Sequence, residues 1–433
     1  MEEDKNNKMK KVNKNNKIEG NKIKVLEVTA FSSGFCGIWM RVKQESELLV
    51  EKGYDVTVFS SNIHRGTGKI EYANEFDELN NEKNNIKIHR FKTKGNFGEN
   101  TFFWDYEDEA LKLKPNIIIC HAYRQYYSTK ALKIAKKLGI PCILVTHAPF
   151  LDKKLRSWKL NLMVWIYDNF VGRIILNKYS KIFTITKWEI PYLLNLGVKK
   201  EKIIYMPNGV PKGFYKIKIP KTKNKLNNKK TKKIIKEILF LGRIAPIKDV
   251  ETLIKAFKLV LEKKPNTILN LVGPVEEDYG IKIKELIKNI DSNSNLEKNV
   301  KFLGAVYELD KKIKIIDNCD VFVLSSKREG MPQSLVEVMS REKIAISSDI
   351  QAGKEVITNG ENGYLFSVGD EKELYRKIML ALEDDNSKNK DPKNKNKEIK
   401  KNARKSIEKF AWNKLVEEID KIIREEINVK EKV

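Results

Sequence analysis

The stretch VFVLSSKREGMPQSLVE, residues 321–337, reads as a buried strand that delivers its end into a loop, from which a helix starts. The apolar run closes at Leu324, a turn forms at Gly330-Met331-Pro332, and Pro332 takes a helix-start position that tolerates a missing N–H. A helix start offers free backbone N–H groups and partial positive charge to a phosphate or sugar oxygen. Glu329 lies before the first helical turn and Glu337 about two turns in, at roughly 3.6 residues per turn. Two carboxylates so placed can accept hydrogen bonds from two sets of hydroxyls on one elongated ligand.

The same strand-to-helix unit recurs along the 433 residues. Short apolar runs stand at 23–28, 56–59, 86–91, 117–120, 142–145, 182–185 and 203–206, and again at 238–241, 268–272, 300–303, 321–324, 344–346 and 364–366. Most are separated by segments long enough for a helix, of which 38–52, closed by Gly53, is the clearest. That alternation predicts parallel βαβ units, hence an α/β chain with two doubly wound, Rossmann-like domains joined near 211–233. In such sheets ligands bind beyond the carboxyl ends of the strands.

The expected organisation is a disordered basic tail at 1–22, a first Rossmann-like domain at 23–212, a second at 213–383, a low-complexity insertion at 384–400 and closing helices at 401–427. Trp412, Leu415, Val416, Ile419, Ile422 and Ile423 recur at helical spacing, so the last helix is amphipathic.

Composition narrows the classes. The excess of 84 basic over 58 acidic residues gives a formal charge of +26, which suits nucleic acid, an anionic membrane or phosphorylated ligands. Much of it sits in Lys/Asn runs of the kind solvated segments carry, and the interleaved aromatics of an RNA module are missing. No specific nucleic-acid partner is therefore expected. Cys36, Cys120, Cys142 and Cys319 are scattered without metal-ligand spacing, and three lie in or beside strand-like runs as small core residues. A reducing, cytoplasmic setting follows, with no apolar signal core at the start of the chain and no run near the ~18 residues of a membrane span.

Candidate site residues gather at strand ends. Gly34 and Gly37 flank the turn after the first strand, in FSSGFCGIWM, where a backbone can approach phosphate; a plain structural turn is an equal reading. His121 and His147 end successive strands, and His147 is the stronger site candidate; His64 and His89 are assigned no role. In FLGRIAPIKDV, Arg243 and Lys248 share one loop, and a planar fork with a point charge can hold a diphosphate.

Arg243 and Lys248 followed by EGMPQSLVE, with its two glutamates eight positions apart, resemble the retaining glycosyltransferases of family four, which have the GT-B fold. The SGFCGIW turn, THAP at His147, MPNGV at 206–210, FLGAV around Gly304, ENGYLF from Glu361 and the terminal FAWNKLVEE support the likeness. It covers nearly everything from Ile23 to Glu426.

The resemblance implies a metal-independent, cofactor-free transferase that moves a hexose from a nucleotide diphosphate sugar to a glycan, lipid-linked or small-molecule acceptor, retaining configuration. By position, Arg243 and Lys248 neutralise the leaving diphosphate, and Glu337 binds ribose hydroxyls. Glu329 and the N–H groups of Gly330 and Met331, beside Pro332, hold the donor sugar. Gly37, with Gly34, lies near the phosphates and His147 near the reacting centre. The chain departs from the family at Cys36, which replaces a glycine, at 342–344, which replace a glycine-proline turn, and at Gln351-Ala352, which replace a double glycine, although Glu355 remains.

Two other classes stay open: a sucrose- or trehalose-type synthase with a soluble acceptor, and a non-catalytic basic protein that binds RNA or membrane. The acceptor side is the least legible. The basic, aromatic segment 153–179 fits a pair of domain helices packing Trp158 and Trp165 inward, the favoured reading, or a peripheral contact with an anionic membrane at its inner face near a lipid-linked acceptor. The stretch 97–104 either lines the acceptor cleft or caps the core.

Overall fold

The computed structural model describes residues 22–34, 36–65, 70–72, 86–97, 101–150, 156–216, 235–291, 295–383 and 395–431. The tail at 1–21 and the basic linker at 217–234 lie outside the described residues, as do 384–394 of the expected insertion.

Two all-parallel sheets form, one from each half of the chain. The first contains β1 (Lys24–Val28), β2 (Asp55–Ser61), β3 (Lys87–Phe91), β4 (Ile117–His121), β5 (Cys142–Val145), β6 (Lys181–Thr184) and β7 (Ile203–Tyr205), in the order β7-β6-β5-β4-β1-β2-β3. The second contains β8 (Lys236–Leu241), β9 (Thr267–Val272), β10 (Val300–Gly304), β11 (Val321–Leu324), β12 (Ile344–Ser348) and β13 (Tyr364–Phe366), in the order β10-β9-β8-β11-β12-β13. All thirteen apolar runs of the sequence became these strands. They are near-continuous Val, Ile, Leu and Phe because helices cover both faces of each sheet.

Seven helices matter for the site: α1 (Gly37–Glu51), α2 (Tyr126–Leu138), α3 (Trp158–Ile166), α4 (Val250–Lys263), α5 (Gln333–Ser340), α6 (Lys395–Ile407) and α7 (Trp412–Glu431). The pair at the end corrects the expected organisation. Residues 395–400 are not insertion but the first turns of α6, because Ile399, Ala403 and Ile407 are buried against the second lobe. Only α7 returns to the first lobe: Trp412, Leu415, Val416, Ile419, Ile422 and Ile423 pack with Val25, Leu49, Val56 and Ile117. At the crossing point Val210 and Ala411 form a bridge, and a Cβ on Gly209 would lie 2.3 Å from the Trp412 ring.

Two short hairpins escaped the strand pattern, each too brief to show a period. Strands Gly95–Phe97 and Thr101–Phe103 pair antiparallel, and Phe102 and Trp104 enter the first core. Phe102 and Trp104 of the stretch 97–104 therefore cap the core, with Phe103 left exposed beside Tyr126, while 98–100 lie outside the described residues.

The two tryptophans of 153–179 did not go inward, whereas Tyr179 did. Trp158, Trp165 and Phe170 are exposed, and no residue of α3 is buried. The first core is already filled from this side by Tyr127, Leu176 and Tyr179, which leaves α3 nothing to pack against.

Candidate active site

Strand ends β8 and β11 are neighbours in the second sheet, which brings two loops from distant sequence together. A Cβ on Gly273, at φ +146°, would lie 1.9 Å from the Gly242 carbonyl oxygen, so only glycine lets the β8 and β9 loops touch. They then pair: Ile244 N–H donates to Pro274 O, and Glu276 N–H to Ile244 O. This pairing sets Glu276 against Arg243, at 2.5 Å between Oε1 and Nη1.

Lys248 ends the 3₁₀ turn Pro246–Lys248 before α4, and its Nζ lies 2.5 Å from Glu329 Oε1. Ser326 Oγ donates to the same carboxylate at 2.6 Å, and Ser325 Oγ donates to Lys248 O at 2.9 Å. Lys248 and Glu329 thus occupy one locus, fastened from both loops. Arg243 is turned to a carboxylate that sequence reasoning missed; its only signal was an acidic pair, Glu276-Glu277, soon after a strand end. Glu337 is buried on α5 and meets Lys312 Nζ at 2.5 Å. Lys312 thus occupies Oε2 as an ion-pair partner.

The Gly330 turn faces the other lobe. A Cβ there would lie 3.2 Å from Ala148 Cβ and 4.0 Å from His147 O. Met331 packs into the cores of both lobes, and its sulfur accepts from Asn208 N–H at 3.1 Å. Pro332 is extended and precedes α5, so it is the cap residue and not the first helical one. Gln333 Nε2 donates to Gly209 O, which ties α5 to the MPNGV segment.

In the first lobe the two glycines part company. Gly34 (φ +77°) runs against the Arg65 backbone, where a Cβ would sit 2.0 Å from the carbonyl oxygen, so its lack of a side chain serves that strand contact. Gly37 opens α1 with nothing within 4 Å of an added Cβ, as close approach of a ligand requires.

His147 and Ala148 are both left-handed, at φ +58° and +53°. Buried Glu189 fastens this turn by accepting from Ala148 N–H at 2.9 Å and from Thr146 Oγ1. His147 is half-buried, and its Nε2 lies 3.0 Å from Nδ1 of His121. His121 Nε2 lies in turn 2.7 Å from Glu27 Oε2 on β1. Burial pushes Glu27 up to about 8, against the opposing pull of Arg41. Burial also pushes His121 down to about 3, and His147 well below the usual imidazole range. All three are therefore neutral near pH 7, and a neutral Glu27 donates its proton to His121 Nε2. The chain of bonds leaves His147 with its Nδ1–H unused by either partner.

Arg41 completes the buried group. It pairs with Glu45 at 3.1 Å and donates to Met206 O and Pro207 O at 2.9 and 3.0 Å, with Trp412 over its guanidinium. Sequence reasoning missed Glu27, Arg41, Glu45 and Glu189. Helical spacing put Arg41 and Glu45 on one face, but only the crossing of α7 makes that face interior.

A separate hollow of about 290 Å³, lined by Lys258, Pro265, Asn299 and neighbours, opens at the amino ends of β9 and β10, away from these loops.

The chain matches two family patterns in succession: Glycosyltransferase Family 4 over residues 36–213 and Glycosyl transferases group 1 over residues 218–406. It is 26% identical over 389 residues to an uncharacterized glycosyltransferase of Methanocaldococcus jannaschii, covering 87% of this chain and 92% of that one. It is 28% identical over 235 residues to the N,N'-diacetylbacillosaminyl-diphospho-undecaprenol alpha-1,3-N-acetylgalactosaminyltransferase of Campylobacter jejuni, covering 53% and 58%. A glycosyltransferase structure from Rickettsia africae has the same fold, with a TM-score of 0.70 at 16% identity over 94% of this chain and 99% of that one. With two parallel Rossmann-like lobes, a helix crossing between them and both patterns in register with the lobes, the chain belongs to the group 1, family-four glycosyltransferases of GT-B fold.

Proposed function

We propose that the chain moves a hexose from a nucleotide diphosphate sugar to a lipid-linked glycan, with retention of anomeric configuration and without a metal ion. The observation that carries this reading is the Lys248–Glu329 pair, 2.5 Å apart at adjoining strand ends, next to a Gly330 turn that presses on the His147–Ala148 turn of the opposite lobe. A cation and a carboxylate at one point suit the junction of diphosphate and sugar.

Departure of a nucleotide diphosphate builds negative charge on its phosphate oxygens. Lys248 is a fixed cation at that point, Arg243 stands on the same loop held by Glu276, and fixed charges stabilise developing charge without reorganisation. As the diphosphate takes the cations, Glu329 and Glu276 exchange their pairing for hydrogen bonds, in the case of Glu329 from donor-sugar hydroxyls. The N–H groups of Gly330 and Met331, beside Pro332, face the same sugar. Glu337 takes the ribose hydroxyls in exchange for part of its pairing with Lys312. Gly37 leaves room for phosphate at the start of α1, and His147 offers an N–H donor at the reacting centre.

The acceptor class is drawn from the Campylobacter relative, whose name specifies a diphospho-undecaprenol substrate. A cytoplasmic enzyme held peripherally at the inner membrane face fits that acceptor. No helix among the described residues is long and apolar enough to cross a membrane.

A thermal-shift plate of nucleotide sugars and free nucleotides tests the donor half. One base should raise the apparent stability, with its diphosphate sugar and free diphosphate both active. No shift with any nucleotide would overturn the reading. Anomeric coupling in the product by NMR, with chelator present, tests retention and metal independence together.

A further inference from the structure

The exposed helix after the His147 turn has a face that water does not explain. Trp158 is 71% exposed, Leu162 49%, Trp165 54%, Phe170 63% and Ile174 59%. α3 continues through the π-helical turn Tyr167–Gly172 into Arg173–Ile175. Steps of four and three residues carry these side chains along α3, the wide π turn takes the five-residue step from Trp165 to Phe170, and the exposed Leu160, Met163, Ile166 and Val171 widen the apolar surface around the helix. Scattered exposed apolar residues are ordinary, but a contiguous strip of this size marks an interaction surface.

Charge and length say what it meets. Lys159, Arg173 and Lys178 are exposed along the strip, and Lys159 lies over the Trp158 ring. Asp168, the one acidic residue between 156 and 178, is already held by Arg124 at 2.6 Å. At about 1.5 Å per residue the continuous helix 158–175 reaches at most ~27 Å, short of a ~30 Å bilayer core, and it carries Lys159, Asp168 and Arg173, so it is not an apolar span. A short apolar helix edged with cations lies in the plane of an anionic surface, where tryptophans are at home. A symmetric pair of copies would set these cations against themselves. The chain outside the described residues is Lys/Asn-rich or acidic, and offers no apolar segment to cover the strip.

The strip begins at the cleft. Burial first, then the guanidinium of Arg124 and also that of Arg328, hold Arg156 below the usual arginine range. Arg328 neighbours Glu329 in the second lobe. Arg156, two residues before the apolar face starts, is thus near enough to Arg328 of the second lobe for their charges to repel. A hollow of about 390 Å³ beside Tyr126 and Val171 adds little, since its Arg124 pairs with Asp168 and its Lys130 with Asp105.

We propose that the helix 158–175 lies flat on an anionic bilayer, with Trp158, Leu162, Trp165, Phe170 and Ile174 among the lipids. The mouth of the cleft then takes the phosphates of a lipid-linked acceptor on Arg156 and Arg328. The second half rests on the acceptor class proposed above; the docking face does not.

The full chain should sediment with phosphatidylglycerol vesicles at low salt, less so at high salt, and not with phosphatidylcholine alone. Brominated lipid should quench its tryptophan emission. The variant Trp158→Glu/Trp165→Glu/Phe170→Glu should bind at least about tenfold more weakly, with circular dichroism and nucleotide-induced thermal shift unchanged. Failure of the wild type to bind anionic vesicles at low salt overturns the docking face. Wild-type binding by the triple variant also overturns it, and assigns attachment to the Lys/Asn runs. A concentration-dependent dimer abolished by the same changes overturns it in favour of a second copy. Transfer to a lipid diphosphate sugar in detergent micelles is scored separately: Arg156→Ala should raise KM for that acceptor and not for the donor. If vesicles bind but no lipid diphosphate is ever glycosylated, the acceptor class fails and the docking face stands.

Discussion

His121 Nδ1 lies 3.0 Å from His147 Nε2, so the imidazole at the cleft is bonded to a second imidazole that has no surface at all. Behind them stands Glu27 at 2.7 Å. One proton decides both tautomers. With Glu27 protonated, His121 Nδ1–H donates to His147 and His147 shows an Nδ1–H to the cleft. With Glu27 ionised, every bond reverses and His147 shows a lone pair.

This chain fixes a pH dependence whose sign is set by burial. Glu27 holds its proton to about pH 8 in the folded chain and, unfolded, loses it near its ordinary 4.5. Between those values the native state binds more protons, so its stability falls as pH rises, by up to about 1.4 kcal/mol per unit. The depressed histidines act oppositely: their contribution is present above about 6.5 and fades as pH drops toward 3. In Glu27→Gln the amide donates to His121 permanently, so the loss between pH 4.5 and 8 should disappear from thermal melts. An unchanged alkaline slope would show that Glu27 is ionised throughout.

Lys248→Ala should lower turnover on the order of 100-fold at saturating donor, since it removes a cation placed to meet the leaving diphosphate. Steady-state kinetics decide it; an unaltered rate removes Lys248 from the chemistry.

Glu337→Gln should weaken nucleotide binding by about tenfold or more, because a bond from a hydroxyl to a charged carboxylate contributes about 1.5–3 kcal/mol. The fold should survive. Calorimetry that returns the wild-type affinity would place the ribose elsewhere.

Gly209→Ala tests the seam between the lobes. Its Cβ would fall 2.3 Å from the Trp412 ring, which is itself clamped by Val210 and Gln44. Overpacking of that size costs about 1–3 kcal/mol and should loosen α7 from the first lobe. A lowered melting temperature with faster proteolysis near 410 is the expected result. An unchanged melt would mean that the seam yields freely.

Strand positions were readable because a strand buried on both faces must be apolar along its length, whatever it pairs with. That local rule placed thirteen runs, and the turn residues after them placed Lys248, Glu329 and Gly330 at strand ends. The order of the strands was not local. It alone makes β8 and β11 neighbours and so converts Lys248 and Glu329, 81 positions apart, into a pair.

What composition and periodicity determined, then, was which segments are strands, which are helices and where their ends carry chemistry. Only the tertiary structure decided which charges are interior and which apolar residues are not. Glu27 looked like one polar residue in a strand, yet the closure of α1 and α7 over β1 strips it of water and raises its pKa. Trp158 and Trp165 looked like core, yet the core had been filled by other residues first. Burial belongs to the assembled fold and not to the residue, because solvent is removed only by what packs on top.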